Sequence, residues 1–199
     1  MTKKPLKIKI STSGAMMTVT LFLTHSYISL AALLAAFLHE LGHIIAAKIY
    51  NIELGELRLG IFGASLTSRV MLCSYKKEIF LCLAGPLVNL ISVLILFPFC
   101  KNYDSFCTLF ISASLFLGLL NLLPIYEFDG GRILFCLLSL RLSLKTVTLI
   151  IKISSFILIF ILWSLSVYLL LRLSSSVSLF IFSLALFSKI FLTQKENLY

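Results

Sequence analysis

Long apolar runs constrain this sequence more than any other feature. Residues 28–50, 79–99, 105–123 and 146–171 each approach or exceed the roughly 20 mostly apolar residues that a membrane-spanning helix needs. Two shorter runs, 14–24 and 177–192, flank them. A chain built this way has no room for a soluble domain between its spans. Composition agrees, with 60% hydrophobic and 13% charged residues against the 45–50% and 25% or so of an ordinary globular domain. The expected fold is an all-α polytopic membrane protein of about six transmembrane helices, forming one membrane-embedded domain over residues 1–199.

The net charge of +9 belongs to the span ends. Lysines gather at Lys3, Lys4, Lys7 and Lys9, and again at Lys76 and Lys77, with no aromatic-interleaved basic stripe of the kind a nucleic-acid surface carries. Nucleic acid is therefore excluded as a partner, and the lipid bilayer is the expected environment. With both termini inside, Arg58, Arg69, Arg132, Arg141, Lys145 and Lys195 also fall on the cytoplasmic side, leaving little beyond Lys101 and Arg172 outside. That asymmetry predicts a multi-pass protein of a bacterial cytoplasmic membrane with cytoplasmic termini. The basic start and first apolar run do not read as a signal peptide, because 28–50 carries His39, Glu40 and His43 and lacks a small-residue cleavage site. The longest polar segment, 51–78, alternates in Leu57-Arg58-Leu59 and is punctuated by Gly55, Gly60 and Gly63. It predicts a small re-entrant β-hairpin between the second and third spans. The five cysteines show no C-x-x-C spacing and suit core packing; a Cys100–Cys107 bridge across one short outer loop is the pairing left open.

The chemistry sits in His39-Glu40-Leu41-Gly42-His43, which holds two of the three histidines of the chain. On a helix His39 and His43 stand about 40° apart around the axis and about 6 Å along it, so both imidazoles reach one metal ion. Glu40 lies close enough to both to take a proton from water at that ion. This is the H-E-x-x-H zinc pattern, with glutamate as general base and not as ligand. Coordination also offsets the cost of ionisable groups inside a membrane, about 2.5–3.5 kcal/mol for one at mid-span. A catalytic zinc takes three protein ligands. His25 would lie across the membrane from His43. Asp129, in Asn121-Leu122-Leu123-Pro124-Ile125-Tyr126-Glu127-Phe128-Asp129-Gly130-Gly131, is carried by the fourth span toward the same face as the two histidines. Taken alone, Asp129 reads as the N-cap of a helix starting near Arg132, and Gly130-Gly131 as a place for the backbone to turn; beside H-E-x-x-H in the same membrane, Asp129 reads instead as the third ligand.

His-Glu-Leu-Gly-His in one span, Ala84-Gly85-Pro86-Leu87-Val88-Asn89 in the next, and Asn-Leu-Leu-Pro…Asp-Gly-Gly after a later one resemble the site-2 protease family of intramembrane zinc metalloproteases. Order and spacing are most similar to the six-span branch that includes the stage IV sporulation protein FB. The resemblance implies one zinc ion per chain held by His39, His43 and Asp129, with Glu40 as catalytic base. It implies Asn121 as a group holding substrate or oxyanion, and a substrate-entry loop around Gly60, Phe62 and Gly63. It implies a membrane-associated protein substrate, such as a pro-sigma or anti-sigma factor, and a membrane protein partner that holds the enzyme inactive. Glu127 departs from the proline of many relatives, and neither a CBS nor a PDZ domain is expected. Two readings compete: a zinc-binding scaffold or sensor without proteolysis, against which the intact Glu40 argues, and a transporter, against which the clustering of charge at span ends argues.

Overall fold

A computed structural model describes residues 7–10, 27–52, 54–60, 63–68, 74–100 and 106–173, together with Leu184 and Phe187. The expected spans 14–24 and 177–192 therefore lie outside the described residues, apart from those two positions. Two units divide the chain, Met1–Leu122 and Leu123–Tyr199.

The first unit opens with strand β1 (Lys7–Ile10) and helix α1 (Tyr27–Ile49). Strands β2 (Leu54–Gly60) and β3 (Gly63–Ser68) follow, then α2 (Tyr75–Leu96) with a 3-10 turn (Phe97–Phe99), and α3 (Phe106–Asn121). The three helices pack against one another. Each does so along a stripe of every fourth residue: Ala31, Ala35, His39, His43 and Ala47 on α1; Leu81, Gly85 and Asn89 on α2; Phe110, Ser114 and Gly118 on α3. A 3.6-residue turn puts such positions on one face. Most of these side chains are small or polar, while Leu30, Leu34, Phe37, Leu94, Ile95 and Phe116 point outward. That distribution is the one expected where lipid surrounds the bundle and close backbone approach holds it together. At Gly42 the approach is tightest: an added Cβ would stand 2.6 Å from the Ala84 carbonyl oxygen and 3.0 Å from Val88 Cγ2.

Helix α1 ends because Asn51 adopts a left-handed φ of 52°. The Asn51 N–H donates to Lys48 O and the Ile52 N–H to Ala47 O, at 3.3 and 2.8 Å. This pair of bonds is a Schellman closure, and Ile52 packs beneath it with Ala46, Ala47 and Leu81. The chain then forms a three-stranded sheet in the order β1-β2-β3. β2 and β3 are antiparallel, with Gly60 opposite Gly63 at the turn; β1 is parallel to β2, Lys7 opposite Glu56 and Ile10 opposite Leu59. The basic N-terminal segment thus contains a strand, Lys-Ile-Lys-Ile, that charge counting hides. A disulfide joins Cys100 to Cys107, Cα atoms 5.8 Å apart, tying the end of the 3-10 turn to the start of α3. The remaining described cysteines, Cys82 and Cys136, are buried thiols, as core packing predicts.

The second unit consists of α4 (Asp129–Ser139) and α5 (Leu144–Leu173) among the described residues, preceded by the 123–128 connection. Ser143 caps α5, its Oγ accepting the Thr146 N–H at 3.3 Å. Two serines of α5 hold the connection: Ser155 Oγ accepts the Tyr126 N–H at 2.8 Å, and Ser154 Oγ donates to Pro124 O at 3.0 Å. Ile125, Val147, Ile151 and Ile159 are fully buried in this unit.

Three helices, Tyr27–Ile49, Tyr75–Phe99 and Leu144–Leu169, are long and apolar enough to cross a membrane, and Phe106–Asn121 is a shorter apolar helix. The described part is mostly helical and has the character of an integral membrane protein.

Candidate metal centre

The buried stripe of α1 carries His39 and His43 one turn apart, 5% and 7% exposed. Their rings meet edge to face, with centroids 4.9 Å apart. His43 Nδ1 lies 2.8 Å from Leu81 O. A carbonyl only accepts, so Nδ1 carries a ring proton, and in the neutral ring Nε2 carries the lone pair. His39 Nε2 stands 3.2 Å from His43 Nε2. With both rings neutral and no metal between them, this contact has His39 Nε2–H donating to His43 Nε2. His39 Nδ1 is then an acceptor, and Asn89 Nδ2 stands 3.3 Å from it.

The pair fits a metal ion. Two nitrogens, each about 2.0–2.1 Å from one tetrahedral zinc, stand about 3.3 Å apart. The observed 3.2 Å matches that separation. The space beside the nitrogens is kept open by Gly85 of α2. A Cβ there would meet His43 Nε2, and would lie 2.7 Å from His43 Cε1 and 2.8 Å from His39 Nε2. Any larger residue at position 85 would occupy the ground in front of both donor atoms.

Glu40 is half-buried beside His39 on α1. Asn121 is the last residue of α3, and its Nδ2 donates to Leu117 O at 3.1 Å, turning the amide back onto its own helix. Asp129 is half-buried in the second unit, where it is the first residue of α4. The cap is Phe128, whose backbone is extended and whose carbonyl accepts from Gly131 and Arg132. This corrects the N-cap reading taken from Asp129 alone: the helix begins at Asp129, three residues before Arg132. A carboxylate in the first turn suits the positive end of the helix dipole. The reading of Gly130-Gly131 as a turn is corrected too. Both are helical, and Gly131 is required because a Cβ would run into the Ile125 carbonyl. Gly60 and Gly63 face each other across the β2–β3 turn, and Phe62 lies outside the described residues. Sequence reasoning gave Leu81 no part in the site and took Gly85 and Asn89 only as members of the Ala84–Asn89 motif. The available signal was their every-fourth-residue spacing on α2.

Similarity to known proteins agrees with this geometry. Residues 100–162 match Peptidase family M50. A curated relative, Zinc metalloprotease MJ0392 of Methanocaldococcus jannaschii, is 35% identical over 109 residues, which cover 51% of this chain and 31% of the relative. The match thus spans about a third of that relative's length. A solved structure, the Site-2 Protease from Methanocaldococcus jannaschii, shares the fold with a TM-score of 0.66 at 24% identity, covering 93% of this chain and 89% of that one. The family match and the curated relative are likenesses to zinc metalloproteases of Peptidase family M50, and the solved structure adds likeness of fold. The M50 match contains Asn121 and Asp129, and the His39–His43 pair lies outside it.

Proposed function

We propose that this protein is an intramembrane zinc metalloprotease that hydrolyses peptide bonds in or near the membrane segments of its substrates. The observation that carries the reading is the 3.2 Å separation of two buried imidazole Nε2 atoms inside an apolar helix. The ligands are His39, His43 and Asp129, a set of two imidazole nitrogens and one carboxylate oxygen that suits one catalytic zinc per chain and leaves a position open. Bound there, zinc supplies Lewis acidity, lowering the pKa of a water molecule to about 7 and polarising a carbonyl. Glu40 takes the proton of the attacking water and returns it to the leaving amine. Asn121 holds the substrate carbonyl once its amide turns away from Leu117.

The substrate is a membrane-associated protein whose helical segment unwinds near the site; a pro-sigma or anti-sigma factor suits that description. An extended stretch of it pairs with the β3 edge of the sheet, which satisfies its backbone groups. With six spans and the β2–β3 hairpin re-entrant between the second and third, both termini share one side, and the Lys/Arg asymmetry supports the cytoplasm as that side. The Cys100–Cys107 disulfide favours this orientation, because such bonds persist in oxidising compartments and the 100–105 connection is then an outer loop.

The test is purification in detergent of the wild type and of Glu40→Gln, with zinc content and cleavage of single-span substrates measured on both. One zinc in each, with cleavage by wild type alone, is the expected result. Absence of zinc from both would overturn the reading.

A further inference from the structure

We infer that Asn89 is the positioning residue for His39, and that its side-chain amide turns over when the metal binds. This rests on the zinc reading above.

Asn89 is fully buried on α2, fifty residues from His39 in sequence. Its Nδ2 faces His39 Nδ1 at 3.3 Å, and its Oδ1 has no hydrogen-bond partner among the described residues. That amide orientation matches the metal-free row of bonds: Asn89 Nδ2 donates to His39 Nδ1, His39 Nε2–H donates to His43 Nε2, and His43 Nδ1–H donates to Leu81 O. It does not match a loaded site. A metal on His39 Nε2 needs the lone pair there, so the ring proton must leave Nε2 and one must be taken up at Nδ1. The imidazole stays neutral, and the net proton count does not change. Nδ1–H then faces Asn89 Nδ2, donor against donor. A half-turn of the amide removes that conflict, because carbonyl oxygen and NH2 exchange places with almost no change of shape. Oδ1 then accepts the Nδ1 proton and gains the partner it lacks in the other orientation. His43 needs no such partner change, since Leu81 O accepts in both states. Of the two histidines, His39 alone has its tautomer set by a side chain that serves either state.

A residue whose work is to hold a ligand's tautomer acts on metal affinity, and removing one typically weakens binding 10–100-fold. Wild type, Asn89→Leu and Asn89→Asp, each purified whole in detergent, are titrated with zinc against a chelator. The expected result is 10–100-fold weaker binding by Asn89→Leu and wild-type or tighter binding by Asn89→Asp, whose carboxylate only accepts. Equal affinity of all three, or equal weakening of both variants, would overturn the role of Asn89 and leave the zinc reading intact. Failure of the wild type to bind zinc would overturn both. A second measurement needs no variant: histidine-selective 15N spectra of wild type should show His39 as the Nε2–H tautomer without metal and the Nδ1–H tautomer with zinc. One tautomer in both conditions would overturn the inference.

Discussion

Gly85 carries the sharpest single-residue prediction. Its missing side chain is the clearance in front of His39 and His43. Gly85→Ala puts a methyl group against both rings, and overpacking of this kind typically costs about 1–3 kcal/mol. The expected outcome is zinc affinity lowered about tenfold or more with the helical content unchanged, read by chelator competition and circular dichroism. Asn51 gives a second test of a different sort. Its left-handed backbone tolerates Asn and Gly but costs a β-branched residue about 1–2 kcal/mol or more. Asn51→Gly should therefore melt near wild type in detergent, and Asn51→Val several degrees lower. The residue scale is also where sequence was most and least informative. His39, Glu40 and His43 could be read at once because a helix converts a spacing of four into proximity. Asn89 and Gly85 could not be given their places, because their partners lie on another helix and only packing brings them near.

At the scale of elements, α1 and α2 meet backbone to backbone at Gly42 and Ala84. Gly42→Val must push the two helices apart, and with them the Leu81 carbonyl that orders His43. Loss of both thermal stability and zinc content is expected, with a larger loss of stability than for Gly85→Ala, whose added methyl meets side-chain rings and not backbone. The sheet makes a separate prediction. If β3 receives substrate, Gly63→Pro should keep one zinc per chain and lose cleavage; full cleavage by this variant would remove the strand-pairing step. The strand pair β2–β3 was legible because alternation and glycines mark a hairpin locally. Strand β1 was not, since its parallel pairing with β2 spans some fifty residues and its lysines read as a membrane flank. The first turn of α4 was misread for a related reason: capping preferences favour Asp outside the helix, whereas the serines of α5 hold the preceding loop so that Phe128 takes that place.

For the whole molecule, the large apolar side chains on the outside of the helices predict behaviour in the laboratory. The protein should remain with membranes under alkaline carbonate and leave them only in detergent. The disulfide offers a further check. Reduction of the denatured chain should raise maleimide uptake by two groups, from Cys100 and Cys107. Membrane character could be read from composition alone, since polar residues are too scarce for a water-facing surface. The pairing of Cys100 with Cys107 could not, because spacing permits a bridge without requiring one.

The row of bonds from Asn89 through His39 and His43 ends on the Leu81 carbonyl, and that terminus belongs to the main chain. A substitution at position 81 changes the side chain and leaves the acceptor standing. His43 is thus oriented by something inheritance cannot easily delete, whereas His39 depends on an amide that one codon change removes. Decay of such a site in a lineage would be expected to begin at the Asn89 end.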